Sequence, residues 1–266
     1  MHLKRVLSGL ILLPVVVFII LRSSPAVFAV VVCLLALGAA GEFFALAAAR
    51  GIRPVWPTGL AAAGLAAAAP SAGGPEVALA ALAVGGAGTL AVLALVGRDP
   101  GGALARAGLT ALGAAYVGGL LAFSILLRQG SGGPMLVLAG ALMTWAGEVA
   151  AFYAGRAFGR HPLAPSVSPG KTVEGAVAAL AASTLAAAAG ASTIWAGRPL
   201  SWALAGTCVG LAGQVGDLAE SVLKRSLGAK DSGWILPGHG GVLDRIDSLL
   251  FAMPTLYGLV HLGLVP

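Results

Sequence analysis

Long apolar runs follow one another along almost the whole chain, each close to the ~17–25 residues that an α-helix needs to cross a hydrocarbon core of about 30 Å. They fall near 6–21, 26–48, 57–71, 76–96, 103–127, 134–153, 173–195, 200–222 and 249–265. Hydrocarbon offers the backbone no hydrogen bonds, so such segments cross as helices. The pattern predicts an all-α, polytopic transmembrane helix bundle of about nine spans, or about eight if the short third run does not cross. Composition agrees, with 58% hydrophobic and only 10% charged residues, more apolar than a soluble core of this length requires. Forty glycines and long alanine runs would weaken helices in water, yet between membrane helices small residues let backbones approach closely. Cys33 and Cys208 lie inside apolar runs and read as small buried hydrophobes.

Basic residues orient the bundle, because cytoplasmic loops collect Lys and Arg. With the N-terminus inside, the inner loops and flanks receive Lys4, Arg5, Arg50, Arg53, Arg98, Arg106, Arg156, Arg160, Lys171, Lys224, Arg225, Lys230 and Arg245. The outer side receives only Arg22, Arg128 and Arg198. The formal charge of +6 is thus a topology signal and gives no reason to expect a nucleic-acid partner. Lys4 and Arg5 before the first apolar run resemble a signal peptide, but that run leads straight into another, which favours a retained first span. Two inner loops, 154–172 and 223–248, are far more polar than the rest. The expected organisation is an N-terminal transmembrane region, 1–130, followed by a C-terminal transmembrane catalytic region, 131–266, that carries both loops.

The second loop and its flanks hold Asp217, Glu220, Asp231, Asp244 and Asp247, half of the ten acidic residues. In a helix, Asp217, Ser221 and Lys224 share one face, with Glu220 alongside. Asp244 and Asp247, spaced i, i+3, share another if a helix starts after the glycines of Pro237–Gly241. Those glycines allow a sharp turn and close approach of backbone N–H groups to an anion. Any one of these residues reads equally well as a helix end, where cations favour the C-terminus and carboxylates the N-terminus. Together they fit a metal and polyphosphate site. Mg2+ takes oxygen ligands, commonly one or two carboxylates plus substrate phosphates, while Lys and Arg neutralise the remaining phosphate charge.

The run Ser221, Lys224-Arg225, Lys230-Asp231, His239-Gly240-Gly241, Asp244-Arg245 and Asp247 resembles the signature of the phosphatidate cytidylyltransferase family, the CDP-diacylglycerol synthases. The likeness extends to Gly155–Arg160, to Ser168–Gly175 and to Lys4–Gly9, whereas 50–130 resembles the family only in hydropathy. At one position the family's usual Asp is replaced by Glu148, and Phe152 stands where a Tyr is expected, so Glu148 is left out of the metal set. The spacing that marks CDP-alcohol phosphotransferases is absent, and the near absence of charge within the spans argues against an ion-coupled transporter.

The resemblance implies that CTP and phosphatidate are converted to CDP-diacylglycerol and pyrophosphate, with Mg2+ and room for a second cation. It assigns Asp217, Asp244 and Asp247 to cations, with Asp231 as ligand or support, and makes Asp217, Lys224, Asp244 and Asp247 the catalytic group. Lys171, Ser221, Lys224, Arg225, Lys230, His239 and Arg245 would contact phosphates. Ser168 and Thr172 would close the site from the first loop, or cap the following helix. The implied setting is a bacterial cytoplasmic membrane, with the N-terminus and active site cytoplasmic, the lipid bilayer as partner and a homodimer as the assembly.

The charge asymmetry predicts the outcome of thiol labelling. In an active background lacking Cys33 and Cys208, single cysteines at Ala49 and Ser168 stay shielded from an impermeant reagent added outside intact cells. Cysteines at Ala72 and Ser131 react. The reverse pattern would invert the topology.

Overall fold

The computed structural model describes residues 2–96, 100–195, 197–233 and 240–265, with side chains of the first helix described from Leu12 onward. Every apolar run becomes a helix: α1 (His2–Arg22), α2 (Pro25–Ala49), α3 (Trp56–Ala68), α4 (Pro75–Val96), α5 (Ala103–Gly113), α6 (Leu120–Gln129), α7 (Gly133–Phe158), α8 (Val173–Thr193), α9 (Pro199–Ser226) and α10 (Leu243–His261). A π-helical turn, Ala114–Gly119, joins α5 to α6 within one continuous rod. Five rods are long and apolar enough to cross a membrane among the described residues: α2, α4, α5–α6, α7 and α8. The protein is an integral membrane protein. The others differ for visible reasons. Helix α3 has 13 residues, the second half of α9 carries Asp217, Glu220, Lys224 and Arg225, and α10 opens with Asp244, Arg245 and Asp247.

The chain is nearly, but not entirely, helical. Within the first polar loop, β1 (Pro162–Ala164) pairs antiparallel with β2 (Ser168–Thr172), Pro162 opposite Thr172 and Ala164 opposite Ser168. This hairpin corrects the all-α expectation, and its cause is local. Pro162, Pro165 and Pro169 remove backbone donors and fix φ, so no helix can run through the segment. Thr172 then caps α8, its hydroxyl accepting from Gly175 N at 3.2 Å. Of the two readings open for Thr172, the cap is the one observed.

The chain divides into two compact units. The first comprises Met1–Gln129 with Ser226–Ile246, and the second Gly130–Arg225 with Asp247–Pro266. Small residues carry the packing in both. In the first unit Ala62, Ala63, Ala66 and Ala67 of α3 are buried, and Phe43, Phe44 and Trp56 meet edge to face at 6.0 and 5.9 Å. Gly118, in the π-helical turn, lies directly on the Ala63 backbone. In the second unit Gly147, Gly206 and Gly210 close around Ser183, whose hydroxyl donates to Met143 O at 2.8 Å. Close approach of backbones through small residues is how helices associate where lipid competes equally for apolar surface. Cys33 is half-buried and Cys208 exposed on its helix, so the expectation that both are buried fails for Cys208, which lies on an outward face of α9.

Two Gly→Ala changes separate packing from helix propensity. Ala is intrinsically the better helix former by about 1 kcal/mol. Gly86 has no neighbour within 4 Å of an added Cβ, so Gly86→Ala leaves the thermal midpoint in detergent unchanged or raised. Gly118→Ala drives a methyl into backbone that cannot move aside, and overpacking of about 1–3 kcal/mol lowers the midpoint by several degrees.

Candidate active site

In the second unit, α9 and the start of α10 bring three carboxylates together. One oxygen each from Asp217, Glu220 and Asp247 lies within 4.8 Å of the others. Glu220 has no exposed surface, and Asp247 is 9% exposed. Sequence spacing accounts for the first pair, since residues three apart on α9 project from one side of the helix. Two ionised carboxylates this close repel by about 3 kcal/mol even at an effective dielectric of about 20, more than a typical hydrogen bond returns. Nearby cationic charge, or a proton held by one of the three, relieves that repulsion.

Two lysines supply cationic charge. Lys171, from β2, places its ammonium 2.7 Å from Asp217 Oδ2, and Lys224 places its own 2.5 Å from Glu220 Oε2, one turn along α9. The Glu148 charge on α7 also acts on Asp247, so the surroundings are more acidic than the triad alone. A site of clustered carboxylate oxygens, part buried and only partly neutralised, has the donor chemistry that Mg2+ prefers. The residues fit that cation. Ser221 is buried beside them, while Arg225 is exposed, its Nε donating to Val167 O at 3.0 Å and tying α9 to the hairpin turn. At the hairpin base, Glu174 accepts from Arg160 N at 3.1 Å, from His161 N at 3.3 Å and faces His161 Nδ1 at 2.6 Å, so β2 and its Lys171 are held in place.

In the first unit, Asp244 occupies the opening turn of α10 and engages backbone. Ser232 N donates to its two oxygens at 3.2 and 3.1 Å, and Gly241 N to Oδ2 at 3.0 Å. Gly240 just before has φ +81°, a conformation that side chains disfavour, which is why glycine stands at this turn. Lys230, Asp231 and Arg245 are exposed. His239, expected to contact phosphate, lies outside the described residues. Asp217 and Asp247, both predicted, thus converge, and Lys171 and Lys224 join them. Asp244 and Asp231 belong to the other unit, with Asp244 one helical turn before Asp247 on α10.

Two residues escaped the predicted set. Glu220 was visible on the Asp217 face of α9, and its shared side with Lys224 was the available signal. Glu42, on α2, is 4% exposed and accepts hydrogen bonds from Val242 N, Leu243 N and Ser232 Oγ. Nothing in the sequence links it to residues some 190 to 201 positions away.

A helical integral membrane protein that gathers carboxylates and lysines at helix ends carries the residue types that can hold cations and phosphates. The sequence pattern of the cytidylyltransferase family matches residues 3–262, and the chain belongs to that family. A phosphatidate cytidylyltransferase of Brucella suis is 45% identical over 117 residues, 43% of this chain and 43% of that protein. One of Staphylococcus aureus is 40% identical over 144 residues, 53% of this chain and 54% of that protein. An uncharacterized protein of Escherichia coli, YnbB, is 40% identical over 126 residues, 47% of this chain and 42% of that protein. The chain spans about half the length of the curated relatives it matches.

Proposed function

We propose that this chain is a phosphatidate cytidylyltransferase, joining CTP to phosphatidate to give CDP-diacylglycerol and pyrophosphate. The observation that carries the reading is the carboxylate triad of Asp217, Glu220 and Asp247 with Lys171 and Lys224 against it, in a membrane protein of the cytidylyltransferase family. A phosphate oxygen of phosphatidate attacks the α-phosphorus of CTP, a new P–O bond forms, the α–β bridging bond breaks, and pyrophosphate leaves with the electron pair. The nucleophile is a phosphomonoester whose second pKa near ~6 leaves it largely ionised at neutral pH, so no strong general base is required.

Phosphoryl chemistry of this kind depends on positioning and charge neutralisation. Mg2+, bound through Asp217, Glu220 and Asp247, would supply Lewis-acid charge to the phosphates of CTP. Lys171 and Lys224, drawn from the carboxylates toward the incoming phosphates, hold the triphosphate and balance the charge on the departing pyrophosphate. Ser221 donates to a phosphate oxygen from the same face of α9. By resemblance to the family signature, Asp244, Asp231, Lys230, Arg225, His239 and Arg245 would take part in the same reaction, and the i, i+3 spacing of Asp244 and Asp247 on α10 supports including Asp244. Phosphatidate keeps its acyl chains in lipid while CTP comes from the cytosol. The proposal therefore includes about nine spans, with both polar loops and the N-terminus cytoplasmic, a reading that the run lengths and the basic-residue distribution support. A homodimer remains part of the proposal through the resemblance alone.

The carboxylates test the metal reading. Asp217→Asn and Glu220→Gln keep size and some hydrogen-bonding capacity but remove charge. Turnover of CTP to CDP-diacylglycerol is expected to fall at least about 100-fold at limiting Mg2+, with partial recovery in at least one variant as Mg2+ rises, and each variant should elute as a single dispersed species. Near-normal turnover at limiting Mg2+ in both variants would defeat the assignment.

A further inference from the structure

A carboxylate inside an apolar helix is costly to bury unless its oxygens are fully used. Glu42 lies toward the C-terminal end of α2, between Gly41 and two phenylalanines that are wholly buried. Its three acceptor contacts all go to one short stretch of the second polar loop. Oε1 accepts from Val242 N at 2.9 Å, and Oε2 accepts from Leu243 N at 2.9 Å and from Ser232 Oγ at 3.1 Å. Val242 and Leu243 supply amides at the N-terminus of α10, which have no intrahelical partner and favour a negative group. A cap could satisfy them from within the loop, yet here the acceptor comes from a different helix.

The third contact extends the effect beyond capping. Ser232 Oγ, while donating to Glu42, accepts from Asp244 N at 3.3 Å, and Ser232 N donates to the Asp244 carboxylate. Gly241 N completes the hold on that carboxylate at 3.0 Å. Each of these three groups that hold Asp244 is thus bonded to Glu42, part of a residue that is, or next in the chain to one. The fit is tight, since a Cβ on Gly233 would come within 2.5 Å of Glu42 Oε1, and one on Gly241 would strike both Ser232 Oγ and Glu42 Oε2.

We propose that Glu42 is a positioning residue for the reaction: through Val242, Leu243 and Ser232 it fixes the loop and the orientation of the Asp244 carboxylate. The inference rests on the proposed function for the role of Asp244, while the clamp itself rests on the hydrogen bonds alone. In this role Glu42 acts through Asp244 and not directly on substrate or cation.

The full-length protein in detergent is compared with Glu42→Gln. The amide keeps one acceptor but turns its NH2 group toward one of two backbone N–H donors, so one contact becomes repulsive. Expected are a fall in kcat of about 10- to 100-fold, the scale of a small misplacement near the chemistry, and a rise in the Mg2+ concentration for half-activation. The KM for phosphatidate stays within about twofold, because remote positioning does not alter uniform binding of the lipid. Hydrogen exchange at Val242 and Leu243 N–H quickens, which is read without turnover. A single dispersed species with wild-type kcat and wild-type Mg2+ dependence overturns the proposal. If Glu42→Gln yields no dispersed protein, Ser232→Ala decides: a smaller fall in kcat with the same Mg2+ shift supports the relay, and wild-type behaviour overturns it. If the wild type shows no phosphatidate-dependent release of pyrophosphate, the proposed function has failed, and exchange alone judges the clamp. Unchanged exchange at both amides would then refute it.

Discussion

Hydrocarbon does not hydrate charge, and that constraint governs where this chain can place its polar chemistry. A span can hold an ionisable group only near its end, or where other groups satisfy it. Asp217, Glu220 and Lys224 occupy the last turns of α9, Asp244 and Asp247 the first turns of α10, and Glu42 the final part of α2. None of these positions is conspicuous alone. Asp217, Glu220 and Asp247 are distinguished by convergence, with three carboxylate oxygens within 4.8 Å and lysines from β2 and α9 set against two of them.

Packing by small residues makes the convergence affordable within thin, alanine-rich helices. Gly216 packs on the Asp247 backbone, and Gly213 lies against Ser248 and Thr144, so α9, α7 and α10 approach closely at the level of the triad in the second unit. The hairpin of β1 and β2 plays the matching part for Lys171. Glu174, at the first turn of α8, gathers two backbone amides and the His161 ring, and so fixes the strand from which Lys171 reaches Asp217. The same helix start is capped by Thr172, which ties that polar motif to the local backbone.

Much of the helical layout was legible because apolar run length is a one-dimensional signal, and each run from 6–21 to 249–265 became a helix. Asp217 and Lys224 were legible by helical spacing, and Glu220 lay in view alongside the same face but outside the expected ligand set. The hairpin was not legible. Its strands have three and five residues with prolines inside them, too short for alternation to register. Glu42 was out of reach for another reason. Its role depends on tertiary contacts across some 190 to 201 positions, and in sequence it is one carboxylate within an apolar run. Arg225 and Thr172 make local contacts as well, to the hairpin turn and as a helix cap, beside the site roles that the resemblance implies.

The central claim is a lipid-dependent nucleotidyl transfer, and the most direct measurement is pyrophosphate release from CTP by the purified protein in detergent. With Mg2+ and phosphatidate present, pyrophosphate should appear in step with CDP-diacylglycerol. Omission of either the lipid or Mg2+ should reduce release to background. Release that proceeds at the same rate without phosphatidate, or no release under any of these conditions from well-dispersed protein, would contradict it.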